Sequence, residues 1–165
     1  MYFRREGFYR FLLGKVEGDI GMKVSSKGKY AIRFLLDLAV NDTGEYISLK
    51  LISSRQELSE KYLEQTSSLL SKAGLVKSTR GSNGGYKLAK KPENYTIGTI
   101  LRLTERTLVE EYEGRENKNM DYTNETVVDQ MLQLISEKVV LLLEELTLQD
   151  LVDMYQKTVF DDYVI

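Results

Sequence analysis

The chain of 165 residues contains no cysteine, no histidine and one proline. Without cysteine there is no disulfide framework, no thiolate metal site and no cysteine nucleophile. With histidine missing too, an enzyme would depend on carboxylate, lysine, serine or tyrosine chemistry, and neither a nucleophile-and-base signature nor a P-loop is visible. Catalysis is not expected. The lack of cysteine is compatible with a reducing cytosol, and the expected location is cytoplasmic. Long apolar runs are absent as well. Phe11-Leu12-Leu13 is too short for a secretory core and far below the roughly 20 residues that span a bilayer. No membrane partner is expected.

What is present is unevenly charged. Residues 22–91 hold 13 Lys or Arg against 6 Asp or Glu, for a net +7, whereas residues 92–165 hold 6 against 16, for a net −10. A basic front half joined to an acidic rear half suits a molecule of which one part meets phosphate and the other must not. Chance clustering of solvated surface charges is the alternative that charge alone leaves open.

The stretch from Lys61 to Leu88 resolves that choice. Tyr62, Thr66, Leu69, Leu70 and Ala73 fall at helical spacing and predict an apolar stripe facing a core. Lys61, Glu64, Gln65, Ser68 and Lys72 form a second, polar face, with groups of the kind that read base edges or hold phosphates. Gly74 stands where a C-terminal cap wants positive φ. Strands are predicted over 75–79 and 86–89, joined by Arg80-Gly81-Ser82-Asn83-Gly84-Gly85, a loop tolerant of left-handed backbone. A polar helix followed by a basic, glycine-tipped hairpin is the plan of a winged helix-turn-helix. There the helix enters the major groove and the hairpin lies along the backbone or in the minor groove.

Upstream, Ala31, Phe34, Leu35 and Leu38 mark an amphipathic first helix between Ser25 and Val40, with Ser25 or Ser26 as its N-cap. Lys23, Lys27, Lys29 and Arg33 crowd its start, which predicts a phosphate clamp in which free backbone N–H groups add to the side-chain charge, with a merely solvated helix start as the alternative. A turn at 41–44, a short strand at Tyr46 and Ile47, and a second helix over 49–57 capped by Ser48 follow. Ser59 is placed to cap the recognition helix.

The rear half has a different pattern. Over 126–146, Val128, Leu132, Ile135, Val139, Leu142 and Leu146 alternate at spacings of four and three, an a/d seam, while Val127, Met131, Leu134 and Leu141 mark a neighbouring face. A helix so apolar predicts packing on its own domain and on its twin in a homodimer. A monomeric core helix is the alternative. Thr147 and Asp150 have capping-box spacing and start a last helix that returns to the body.

The blocks YLEQ, KAGLVKS and RGSNGGYKLAK, with MKVSSKGKYAIR from Met22 and TLQDLV from Thr147, resemble the Rrf-two family of bacterial winged helix-turn-helix transcription regulators. The likeness covers roughly 22–104 and 127–155. It implies a dimeric DNA-binding regulator, expected to be a repressor on a palindromic operator in double-stranded DNA. Carried over residue by residue, it implies base reading by Lys61, Glu64, Gln65 and Arg80, and backbone contacts from Lys27, Ser59, Tyr62, Ser68 and Lys72. Glu64 would serve as acceptor for a cytosine amino group, or alternatively as a helix-stabilising surface residue.

Cluster-bearing relatives place three cysteines and often a histidine between Glu105 and Thr126. This chain has neither residue anywhere, so an iron-sulfur cluster held by thiolates and imidazole is excluded and no cofactor is expected. Glu110, Glu111, Glu113 and Glu116 lack the spacing of a cation loop and read as solvated. The likeness is to the cluster-free branch, whose control would come from a small metabolite or a partner enzyme.

The expected fold is mostly α with a small β-hairpin wing (α+β). Residues 1–21 form an extension that is mobile or precedes a natural start at Met22. Residues 22–92 make the winged domain, 93–122 a connecting region and acidic loop, and 123–165 the dimerisation helix and a C-terminal helix. A winged-helix protein-interaction subunit without DNA binding is the alternative function.

Overall fold

The computed structural model describes residues 24–81, 84–105 and 124–161. Expectations placed on residues 1–23, on Ser82 and Asn83, and on the acidic run at 110–116 lie outside it. Six α-helices and one hairpin follow in order among the described residues: α1 Ser26–Val40, α2 Leu49–Gln56, α3 Glu60–Lys72, β1 Val76–Thr79, β2 Gly85–Leu88, a short 3-10 turn Pro92–Asn94, α4 Ile97–Thr104, α5 Asn124–Glu145 and α6 Leu148–Asp161. The mostly helical fold with a β-hairpin wing is the one expected.

Local chemistry starts and stops these helices. Ser25 caps α1 through its hydroxyl, which accepts from the Gly28 N–H, and Ser48 and Ser59 cap α2 and α3 in the same way, each with extended backbone. At the end of α3 the Leu75 N–H donates to the Leu70 carbonyl (2.9 Å) and the Gly74 N–H to that of Ser71 (3.0 Å), with Gly74 at φ +69. That is a Schellman motif, and its two apolar members, Leu70 and Leu75, are both buried. Thr147 and Asp150 cap α6 reciprocally. The Thr147 N–H donates to the Asp150 carboxylate (2.9 Å) and the Asp150 N–H to the Thr147 hydroxyl (3.2 Å).

The core gathers where the stripes meet. Ala31, Phe34, Leu35 and Leu38 of α1 are buried as the periodicity predicts, against Ile52 of α2 and Leu63 and Leu70 of α3. Each fully buried Leu or Phe contributes roughly 1.5 to 3 kcal/mol relative to exposure. The hairpin is antiparallel, with Val76 opposite Leu88 and Lys77 opposite Lys87, and Ile47 bridges to Tyr86 on the outer edge of β2. Tyr86 packs edge-on to Phe34, with ring centroids 5.5 Å apart, and so seats the hairpin on α1.

The segment from residue 93, expected as a connection, instead supplies part of the core. Tyr95, Ile97, Ile100 and Leu101 are buried, and α4 packs on both α1 and α5. The Tyr95 hydroxyl donates to the Leu75 carbonyl (2.7 Å) and accepts from the Lys90 N–H (2.8 Å), joining the roots of both hairpin strands to the body. Burial pushes the Tyr95 phenol above its ordinary pKa, against the hydrogen bonds from the backbone of Lys90 and Ala89. At the far end Ile97 N–H donates to the Leu146 carbonyl (2.7 Å) and Leu148 N–H to that of Tyr95 (2.9 Å), so α6 returns to pack on α1 and the 3-10 turn.

Candidate nucleic-acid interface

The recognition helix α3 is anchored by one face and free on the other. Its buried residues are Leu63, Thr66, Ser67 and Leu70. This corrects the predicted stripe. Thr66 and Leu70 are buried as expected, but Tyr62 is 56% exposed, Ala73 is exposed and Leu69 is only half-buried. The helix is rotated toward Leu63 and Ser67, because a small polar side chain such as Ser67 can be buried beside Thr66 once the hydroxyls are satisfied. The Thr66 hydroxyl donates to the Tyr62 carbonyl (3.0 Å), and Ser67 Oγ hydrogen-bonds the Glu64 carbonyl (3.1 Å) and the Tyr86 hydroxyl (3.1 Å). A bulky phenol in place of either would not fit.

The rotation turns Tyr62 outward to join Lys61, Glu64, Gln65, Ser68 and Lys72, all of them exposed. Its ring rests 6.0 Å from that of Tyr30, tilted by 52°. The outward face therefore carries two ammonium groups, one carboxylate, one amide, one hydroxyl and one phenol, a set able to meet both phosphates and base edges.

The wing follows α3 in the chain and packs against it. Arg80 is exposed at the end of β1, and Gly81, also exposed, adopts φ +107, which favours glycine. The Gly84 N–H closes the loop onto the Gly81 carbonyl at 2.9 Å. Gly85 is buried against the Ile47 carbonyl, where a side chain would collide. Ser82 and Asn83, also assigned to the wing, lie outside the described residues.

The predicted phosphate clamp at α1 is corrected more heavily. Lys27 and Lys29 are exposed there, and Lys23 lies outside the described residues. Glu105, only 8% exposed, places its carboxylate over the start of α1, accepting from the Ser25 N–H (3.2 Å) and the Ser25 hydroxyl (2.5 Å). An internal carboxylate thus holds the ground an anion would need. Arg33 is committed too, donating from Nε to the Gln56 side-chain oxygen (3.1 Å) and from a terminal nitrogen to the Gln56 carbonyl.

Arg55, which sequence reasoning did not single out, holds α2 in place. It forms an ion pair with Asp37 of α1, and that hydrogen bonding raises the Arg55 pKa above its ordinary value against the opposing effect of burial. At the other pole α5 leaves its apolar side chains uncovered. Val127, Val128, Met131, Leu132, Leu134, Ile135 and Leu141 are each 50 to 60% exposed and Leu142 38%, while Val139 is half-buried. Leu146, expected in the same seam, is half-buried and packs on the domain's own core.

Comparison with known proteins gives a consistent picture. Residues 24–154 match the Rrf2 family, described as "Iron-dependent Transcriptional regulator". A Haemophilus influenzae protein with the provisional name of HTH-type transcriptional regulator is 40% identical over 133 residues, 80% of this chain and 87% of its own. The HTH-type transcriptional regulator CymR of Bacillus subtilis is 46% identical over 84 residues, 51% of this chain and 61% of its own. Its solved structure, described as that of the global cysteine regulator, superposes with a TM-score of 0.68 at 34% identity, over 81% of this chain and 98% of that one. That of T. potens IscR gives 0.68 at 36%, over 86% and 93%. The family description names iron, but the donor set here does not fit a thiolate-held cluster. The chain has no cysteine or histidine, and among the described residues no three acidic side chains converge on a metal site.

Proposed function

The chain belongs to the Rrf-two family of transcriptional regulators, and on that premise we propose that it acts as a homodimeric repressor on a palindromic operator, switched by a small metabolite or a partner enzyme and not by an iron-sulfur cluster. It is a DNA-binding regulator of helix-turn-helix type and not an enzyme. An interaction subunit that keeps the fold without binding DNA is not favoured.

The observation that carries the reading is the outward face of α3. Lys61, Glu64, Gln65 and the wing residue Arg80 read bases, while Lys27, Ser59, Tyr62, Ser68 and Lys72 hold the backbone. The exposed apolar residues of α5 supply the dimer contact, because seven large apolar side chains at half exposure or more on one helix exceed what a monomer leaves open. Twofold symmetry then presents two copies of α3 to half-sites about one or more turns of DNA apart. The work takes place in the cytoplasm. Among the described residues no helix is long and apolar enough to cross a membrane.

Fluorescence anisotropy with duplex DNA from the chain's own promoter region tests this. Affinity should fall by roughly a thousandfold or more between about 50 and 200 mM salt. Arg80→Ala should weaken binding by about 1 to 3 kcal/mol. Absence of binding at low salt would overturn the proposal, and an unchanged Arg80→Ala affinity would favour the interaction subunit.

A further inference from the structure

A polar stripe on α1 meets the turn into the recognition helix at both of its ends. Tyr30, Arg33 and Asp37 stand at i, i+3 and i+7, on one side of the helix. Tyr30 leans on Tyr62 in the first turn of α3, while Arg33 and Asp37 both meet Gln56, the last residue of α2. Gln56 thus stands between a cation and an anion. Its side-chain oxygen accepts from Arg33 Nε (3.1 Å), and its amide nitrogen donates to the Asp37 carboxylate (3.0 Å). An amide has an acceptor for one neighbour and a donor for the other, whereas a carboxylate here would face Asp37 and an ammonium would face Arg33. A terminal nitrogen of the same guanidinium donates to the Gln56 backbone carbonyl. That carbonyl is among the last four of α2, which have no partner within the helix. The turn that follows is short and strained. Glu57, Leu58 and Ser59 separate α2 from α3, with Glu57 left-handed at φ 53. From α2, the Ser53 carbonyl accepts from the N–H groups of Glu57 and Leu58, and its hydroxyl donates to the Leu58 carbonyl (2.5 Å). Arg33 fastens the same turn from α1.

We infer that Arg33 is a positioning residue for the recognition helix: acting through Gln56, it fixes the direction in which the turn launches α3, and it is not the phosphate contact that its place near the start of α1 implies. The inference rests on the DNA-binding reading above and assigns an exposed cation to geometry instead of charge. Chemistry separates the two roles. A phosphate accepts any point charge of the right sign. Gln56 instead offers two acceptors, one on its side chain and one on its backbone, which a planar guanidinium meets together and an ammonium does not. Binding to random DNA depends on charge, whereas operator binding depends also on where Lys61, Glu64 and Gln65 point.

The test uses the full chain, the protected operator, a random duplex of the same length, and the variants Arg33→Lys and Arg33→Met. Both variants should lose about tenfold in operator affinity. Arg33→Lys, which keeps the charge, should bind the random duplex like the parent and with the same salt slope. Without DNA, hydrogen exchange followed by NMR should show the Leu58 N–H exchanging about tenfold faster in both variants, with the Phe34 N–H in mid-α1 unchanged. Operator binding by Arg33→Lys at parental strength, with Arg33→Met weakened on both duplexes and its salt slope lower by about one, makes Arg33 a phosphate contact and overturns the inference. Unchanged operator affinity in both variants overturns it too, as does unchanged exchange at Leu58. A parent that binds neither duplex removes the DNA reading and this inference with it. The exchange measurement needs no DNA, so it tells that outcome apart from failure of the Arg33 contact.

Discussion

Arg55 and Asp37 lock the first two helices together through a forked contact. The Arg55 Nε and one terminal nitrogen donate to the two Asp37 carboxylate oxygens at 3.0 and 2.5 Å, and the Gln56 amide adds a third donor at 3.0 Å. Asp37 is 3% exposed, so its charge is tolerated only because these donors surround it. The pair sets the angle at which α2 presents the turn into α3.

Removing one partner tests that role. Breaking a fully buried pair costs about 3 to 5 kcal/mol. The Arg55 side chain is 30% exposed, and Gln56 remains to serve Asp37. Arg55→Ala should therefore lose about 2 to 3 kcal/mol, read as a lower urea midpoint at unchanged slope. A loss within about 0.5 kcal/mol would show the fork to be incidental, as a surface change would be.

The turn between α2 and α3 stores strain that a single substitution can relieve. Glu57 sits at φ 53, the one positive-φ residue other than glycine among the described residues. A left-handed conformation costs a side-chain-bearing residue about 1 to 2 kcal/mol, and glycine returns about 0.4 to 1 kcal/mol of that through unfolded-state entropy. Glu57→Gly should stabilise the fold by about 0.5 to 1 kcal/mol. Thermal melting should show a rise, and a fall would mean the carboxylate makes a contact worth more than the strain.

Sequence and structure agree wherever the determinant is local. Ser25, Ser48, Ser59, Gly74 and the Thr147–Asp150 box each act within a turn or so of their own position, and each does what its spacing implies. Long-range chemistry was illegible. Glu105 reaches Ser25 across 80 positions, so nothing local betrayed that the start of α1 was already filled. The rotation of α3 was hidden differently, since Ser67 reads as polar until its hydroxyl finds partners that make burial inexpensive. The exposed reading face survived that error because both placements of the helix leave Lys61, Glu64, Gln65, Ser68 and Lys72 outside.

Tyr95 was not anticipated, and its hydroxyl offers a pH signature. Tyr95→Phe leaves the Lys90 N–H and the Leu75 carbonyl without that partner in a buried place, at a cost of about 1 to 3 kcal/mol. The phenol's folded pKa lies above its ordinary value near 10, so the folded state holds the proton more tightly than the unfolded chain. That share of stability is full below about pH 10 and is lost as the pH rises through the folded pKa. Denaturation between about pH 9 and 11 should show the parent losing stability faster than Tyr95→Phe. Parallel curves would remove Tyr95 as the cause.

The proposed dimer seam makes a prediction about assembly. Ile135 is 51% exposed in the single chain and stands in the middle of the proposed seam on α5. Burying an aspartate there against a twin helix would cost several kcal/mol, so Ile135→Asp should yield a folded monomer by light scattering, with operator affinity reduced by about a hundredfold or more. If the variant stays dimeric, the seam lies elsewhere on α5.

The join between α4 and α5 decides how rigidly that seam is carried. Glu144 of α5 accepts from the Thr96 hydroxyl at 3.0 Å, pairs with Arg102 and lies over Gly98, where an added Cβ would meet its carboxylate carbon at 2.8 Å and the Leu143 backbone at 3.3 Å. The carboxylate is pinned by two partners and cannot swing aside freely. Gly98→Ala should therefore destabilise by about 1 to 3 kcal/mol, partly offset by alanine's better helix propensity. In a Glu144→Ala background most of the obstruction is gone, and the same Gly98→Ala change should cost about 1 kcal/mol less, measured as the coupling in a double-mutant cycle. Additive losses would show that the Leu143 backbone, and not the pinned carboxylate, is what requires glycine at this crossing.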